Sequence, residues 1–209
     1  MSGRVAIHID GVKELTVHPK ALESLGIEEG ATVDIEELLE SAAAAERRAG
    51  MEAALALLGV RDRSAAELQE RLRRKGFAHE VAVAVVERLQ ELGYVDDRRY
   101  AGELVRGRMA QRPEGKRALQ RELRRRGIEG KMIDEALEEC FGGVDEVALA
   151  VEVIERRLPR LANVDVGTAR RRLVALLQRR GFDFEVIQEA VTRAMPETDM
   201  DEDVASSTA

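Results

Sequence analysis

Three clusters of cations, each leading into a glycine, are the side chains best placed to do chemistry in this sequence. Arg71, Arg73, Arg74 and Lys75 precede Gly76, and Arg121, Arg124, Arg125 and Arg126 precede Gly127. Arg170, Arg171, Arg172, Arg179 and Arg180 lead to Gly181. Guanidinium and ammonium groups at this density recognise anions, above all phosphates and carboxylates. Part of each cluster has a local reason, since cations near a helix C-terminus offset the macrodipole by about 0.3–1 kcal/mol each. A dipole does not call for four cations in one turn. Three matched clusters point to a repeated contact with something anionic.

Other chemistries have little support. His8, His18 and His79 have no Cys or carboxylate at ligand-like spacing, so no metal is expected. Cys140 sits beside Glu138 and Glu139, which disfavour a thiolate, and reads as a packing residue. Gly142-Gly143 is too short to signal a phosphate loop. The expectation is a protein that is not an enzyme and needs no cofactor. A DNA-reading helix-turn-helix is also disfavoured. Its second helix would carry Arg, Asn or Gln toward base edges. Here that helix reads Glu80-Val-Ala-Val-Ala-Val-Val-Glu87 or Asp134-Glu-Ala-Leu-Glu-Glu139. Weak contact to a nucleic-acid backbone stays open.

The elements that hold these clusters recur. Leu68-x-x-x-Leu72-x-x-Lys75-Gly76-Phe77 is followed by Leu119-x-x-x-Leu123-x-x-Arg126-Gly127-Ile128 and Leu173-x-x-x-Leu177-x-x-Arg180-Gly181-Phe182. The glycines lie 51 and 54 residues apart. Val81, Met132 and Val186 each follow by five positions, and Val86, Leu137 and Val191 by ten. A fixed period of this size marks a tandem helical array. Each unit reads as three helices: a lead helix, a basic helix ending at glycine, and an acidic-apolar helix. The structural glycines Gly76, Gly127 and Gly181 are expected just past helix ends with positive φ, and Asp96 as an N-cap.

The predicted fold class is mostly α: three three-helix, helix-turn-helix-like repeats after a small N-terminal β-hairpin region. Residues 1–50 hold the hairpin and the start of a long helix, 51–95 the first repeat, 96–142 the second and 143–195 the third. Residues 196–209 read as a disordered acidic tail. Strands are expected at Arg4–Ile9 and Glu14–Val17 around Asp10-Gly11, with a third at Ala31–Ile35. Helix is expected from Ile35 to Leu58, interrupted at Gly50 and closed by Gly59. Ser64-Ala65-Ala66-Glu67 reads as a capping box. Further helices are expected at Glu80–Leu92, from Asp96 to Gln111, and at Lys116–Arg126 and Lys131–Cys140. The third repeat is read as Val144–Leu158, a loop to Gly167, Thr168–Arg180 and Phe184–Ala194.

Composition agrees with a helical binding protein. Of the 209 residues, 35% are charged and only 3% aromatic, with no Trp. A single Cys cannot form an internal disulfide, and no apolar run approaches the ~20 residues of a membrane span. A cytoplasmic, monomeric protein is expected, with no membrane partner. The net charge of −7 is unevenly distributed. Residues 51–190 carry 27 basic against 25 acidic side chains, between two acidic ends. The overall acidity therefore does not exclude a phosphate-bearing partner.

Gly93-Tyr94-Val95-Asp96-Asp97-Arg98-Arg99-Tyr100-Ala101 resembles the signature stretch of the RecX family of RecA regulators. Arg63-Ser64-x-x-Glu67-Leu68-x-x-x-Leu72-x-x-Lys75-Gly76-Phe77 is similar to that family's first repeat. Arg112-Pro113-x-Gly115-Lys116-x-x-Leu119-x-x-Glu122-Leu123-x-x-x-Gly127-Ile128 resembles its second. The likeness covers about residues 51–195. It implies a non-catalytic protein that binds RecA and its filaments on single-stranded DNA. Such a protein restrains ATP hydrolysis, strand exchange and LexA self-cleavage, and so modulates DNA repair and the SOS response. Arg98, Arg99, Arg112, Lys116 and Arg117 are the candidate filament-facing residues by matching position. With them go Arg73, Arg74, Lys75, Arg124, Arg125, Arg126, Arg171, Arg172, Arg179 and Arg180 of the basic turns. Two alternatives remain: a repeat protein coating single-stranded DNA directly, and a helical adaptor for another acidic partner.

Overall fold

The computed structural model describes residues 3–196; the acidic tail predicted beyond them lies outside the described residues. The chain opens with an antiparallel hairpin, β1 (Val5–Ile9) and β2 (Val12–Val17). Val5 pairs with Val17 and Ile9 with Val12, with a register shift between Ile7 and His8. Asp10 and Gly11 both have positive φ, 50° and 82°, the primed geometry that an Asp-Gly pair favours. Ten helices follow among the described residues: α1 (Pro19–Leu25), α2 (Ile35–Leu58), α3 (Ala65–Arg74), α4 (His79–Glu91), α5 (Asp97–Gln111), α6 (Lys116–Arg125), α7 (Gly130–Phe141), α8 (Glu146–Glu155), α9 (Val166–Arg179) and α10 (Phe184–Ala194). A 3-10 turn occupies Leu158–Leu161.

The repeat register seen in the sequence is the register of burial. Leu68 and Leu72 in α3, Leu119 and Leu123 in α6, and Leu173 and Leu177 in α9 are all 0% exposed. Each such side chain contributes roughly 1.5–3 kcal/mol relative to an exposed one. In α4 the stripe Ala82, Val85, Val86 and Leu89 is buried at helical spacing. The residue after each repeat glycine, Phe77, Ile128 or Phe182, is buried as well. The chain divides into two compact units. One comprises residues up to Tyr100 together with Arg126–Ile128, and the other Ala101–Arg125 together with the residues from Glu129 onward.

Several local expectations are corrected. Residues 31–34 form no strand. Asp34 instead accepts from the Glu37 backbone N–H at 3.0 Å and starts α2, with Glu36 and Glu37 in its first turn. That cap and the favourable dipole outweigh the β propensity of Thr32 and Val33. Helix α1 has no counterpart among the elements expected from the sequence; His18 caps it, Pro19 begins it and Gly26 ends it at φ 62°. Helix α2 runs unbroken through Gly50, which is buried against α4. A Cβ there would lie 3.1 Å from Val85 Cγ2, so the glycine serves close helix approach, not a break. Gly59 caps α2 at φ −61°, in the right-handed region. Strand β2 begins at Val12 rather than Glu14; α8 starts at Glu146, where Asp145 caps it, and ends at Glu155, short of the expected Leu158. Of the capping box only half forms. Ser64 accepts from the Glu67 N–H, but the Glu67 carboxylate turns to arginines.

Candidate functional site: the basic turns

The turns at Gly76 and Gly181 close their helices in the same way. The Gly76 N–H donates to the Arg73 carbonyl at 2.9 Å and the Phe77 N–H to that of Leu72 at 3.2 Å. The Gly181 N–H donates to Gln178 at 3.0 Å and that of Phe182 to Leu177 at 3.2 Å. These paired bonds are the Schellman motif, which requires the left-handed conformation at the glycine. Gly76, Gly127 and Gly181 have φ of 100°, 75° and 78°, as expected from the sequence.

The backbone of each turn is covered by the protein itself. At the first, His18 Nε2 lies 3.1 Å from the Lys75 carbonyl, its ring stacked on Phe77 at 4.1 Å and 8°. Arg4 reaches both the Gly76 carbonyl and the buried Glu46. At the second, the Ser64 hydroxyl donates to the Arg126 carbonyl, and Gly127 lies against Ala66. At the third, the Gly115 N–H donates to the Arg180 carbonyl at 2.9 Å and the Arg117 N–H to that of Gly181 at 3.1 Å. Turns two and three therefore each seat on the start of a basic helix, α3 and α6 respectively. What the turns offer a partner is side chains, not backbone.

Those side chains fall into two groups. Many are engaged within the chain. Arg73 and Arg74 pair with Glu70 at 3.4 and 2.8 Å. Arg126 donates to Glu67 at 3.2 Å and to the Tyr100 hydroxyl at 3.0 Å. Arg125 pairs with the buried Glu122, and Arg117 with Asp183. Lys116 pairs with Glu146 at 2.5 Å and lies 5.3 Å from the Phe141 ring centre. Arg180 donates to the Pro113 carbonyl at 3.1 Å. Burial, and then the charge of Arg112, depress the Arg180 pKa below the ordinary guanidinium value. Arg171 donates to the Thr168 hydroxyl at 2.6 Å. In the other group, Lys75, Arg99, Arg112, Arg124, Arg172 and Arg179 are exposed; Arg98 is exposed as well but interacts within the chain. Asp96 accepts from the Arg99 N–H at 2.9 Å, the N-cap expected from the sequence.

Two positions escaped sequence reasoning. Asp97 accepts from the Ala65 N–H at 2.8 Å and so caps α3 from a distant segment. Glu67 is the hub of Arg61, Arg63 and Arg126. Burial works to raise its pKa, but the hydrogen bonds and charges of Arg61 and Arg63 together hold it below the ordinary carboxylate value. For Asp97 the only signal was an acid beside arginines, which is common on any helix, and Glu67 read only as the closing acid of the capping box. Among the described residues, no group of three or more His, Cys, Asp or Glu side chains is disposed to hold a metal ion, and no helix is long and apolar enough to cross a membrane.

The chain matches three family descriptions in order. "RecX, first three-helix domain" covers residues 51–89, the second three-helix domain residues 96–137 and the third residues 144–191. It is 35% identical over 150 residues to the Regulatory protein RecX of Pelodictyon phaeoclathratiforme, covering 71% of this chain and 91% of that one. It is 29% identical over 198 residues to that of Bacillus subtilis, covering 95% and 75%. Its fold is similar to a crystal structure of regulatory protein RecX (TM-score 0.67, 21% identity, 90% and 92% covered). A RecX structure from Lactobacillus salivarius is also similar (TM-score 0.64, 21% identity, 72% and 97% covered). All three three-helix units are present in family order, and the chain belongs to the RecX family of regulatory proteins.

Proposed function

We propose that this protein binds RecA and RecA–single-stranded DNA filaments and restrains the recombinase, its ATP hydrolysis, strand exchange and stimulation of LexA cleavage included. The observation that carries this reading is the presence of all three family domains in order, each with its basic turn. The turns hold their backbone inward and leave cations on their outer side, an arrangement suited to binding. Several weak charged contacts on one chain combine into appreciable avidity without any single strong site. The exposed Lys75, Arg98, Arg99, Arg112 and Arg124 are the residues proposed to face the filament.

The basic middle of the chain carries only a small charge excess, and acidic ends flank it. Binding to bare DNA at physiological salt should therefore be weak, and binding to the filament much tighter. Fluorescence anisotropy with bare and RecA-coated oligonucleotide at one ionic strength tests this. Equal affinity for the two would replace the reading with direct coating of DNA.

A further inference from the structure

The three basic helices are not electrically alike. Helix α3 carries Glu67 and Glu70 among its arginines, and α6 carries Glu122; these acids pair with Arg71, Arg73, Arg74 and Arg125. Helix α9 holds Arg170, Arg171, Arg172 and Arg179 with no Asp or Glu from Val166 to Arg179. Arg172 and Arg179 lie seven positions apart, on the same face as Ala175 and Leu176. They line a cleft of about 340 Å³ together with Arg157 and the buried Leu161. No carboxylate lines this cleft. Among the described residues, Arg157, Arg172 and Arg179 are all exposed and take part in no ion pair.

We propose that the Arg157–Arg172–Arg179 cleft is a phosphate-binding site for the backbone of single-stranded DNA. Three like charges around one cleft repel one another, and an anion between them relieves that repulsion while gaining charge-assisted hydrogen bonds. The Cα atoms of Arg172 and Arg179 are two helical turns apart, about 10 Å. That span suits a strand carrying several phosphates better than a lone ion. The apolar lining residues Leu161, Ala175 and Leu176 offer a surface for a sugar face. The proposed contact is to backbone phosphates, which carry no sequence information, so it is independent of sequence. The inference rests on the filament reading for its ligand. It assigns the DNA contact to the third repeat, and to Arg157, which lies in none of the basic turns.

The test uses the full chain without RecA. Anisotropy with labelled oligo-dT and with a mixed-sequence oligonucleotide is measured over a salt series, for the wild type and for the Arg157→Ala, Arg172→Ala, Arg179→Ala triple variant. Circular dichroism melts establish that the variant is folded. We expect a several-fold weaker affinity, equal on both oligonucleotides. The slope of log K against log salt should fall by about 0.7 for each phosphate that the variant no longer neutralises. An Arg88→Ala control, on α4 and outside the basic turns, should keep the wild-type slope. Unchanged affinity and slope in the folded triple variant would overturn the assignment, as would absence of wild-type binding even at low salt. Pyrophosphate should displace the oligonucleotide no better than sulfate at equal ionic strength; a pyrophosphate-specific effect that disappears in the variant would reassign the cleft to a small phosphate ligand. Failure of the filament reading registers separately, as absence of RecA inhibition by the wild type.

Discussion

Ser64 caps the start of α3, and its hydroxyl donates to the carbonyl of Arg126, 62 residues later, at the close of the next basic helix. The third turn repeats the relationship one unit on, where Gly115 and Arg117 donate to Arg180 and Gly181. A basic helix thus ends by seating its glycine turn on the start of another basic helix. The glycine serves two needs at once, a left-handed φ and the absence of a side chain at the seat.

Gly127→Val tests both needs. A left-handed β-branched residue costs about 1–2 kcal/mol, and its Cβ would also clash with the Ala66 methyl. We expect a loss of about 3 kcal/mol in thermal or denaturant unfolding. Gly127→Ala paired with Ala66→Gly should recover the steric share and leave the φ share. Gly181→Val should cost more, because its Cβ meets the backbone of Ala118, which cannot be trimmed. A Gly127→Val protein as stable as the wild type would refute the seating.

Glu67 predicts a pH signature. Its folded pKa lies below the ordinary 4.5, so its contribution is present above that value and is lost as pH falls through the folded pKa. Glu67→Gln should cost about 2 kcal/mol at neutral pH through weakened bonds to Arg61, Arg63 and Arg126. The gap between variant and wild type should shrink in acid. A gap independent of pH between neutrality and acid would show that the carboxylate charge plays no part.

Much of the fold was legible because the repeat carries its own punctuation. Leucines at fixed offsets gave the buried faces, and the glycines gave the helix ends, since both follow from short-range geometry. What stayed hidden depends on distant partners. Gly50 reads as a break in isolation and becomes a contact only when Val85 is brought against it. Asp97 reads as one more helix-start acid until the Ala65 N–H arrives. The basic turns were visible as charge, but not which charges are engaged internally. Arg126 and Arg124 look equivalent in sequence, yet one is half-buried on Glu67 and Tyr100 and the other is exposed.

Arg124 and Arg125 should therefore behave differently as single variants. Arg124→Glu is expected to leave stability within about 0.5 kcal/mol of wild type, as exposed sites generally do. Arg125→Glu sets a carboxylate against the buried Glu122 and should destabilise measurably. Both should weaken filament inhibition, and that inhibition should fade with added salt. Equal melting temperatures for the two variants would contradict the Arg125–Glu122 pairing.

Gly50→Ala sets two magnitudes against each other. Helix propensity favours alanine by about 1 kcal/mol, while overpacking typically costs about 1–3 kcal/mol. With Val85 only 2% exposed and 3.1 Å from the added methyl, the packing cost should win by about 1 kcal/mol. Adding Val85→Ala should make the glycine substitution favourable. A stabilised Gly50→Ala single variant would mean that α2 and α4 can separate at little cost.

Restraint of RecA is tested most simply by following steady-state ATP hydrolysis by RecA on single-stranded DNA as this protein is titrated in. Progressive inhibition is expected at concentrations where the protein alone leaves the DNA largely unbound, and Arg124→Glu should diminish it. Hydrolysis that stays at its starting rate throughout, with the folded protein in excess over RecA, would contradict a RecA-restraining function.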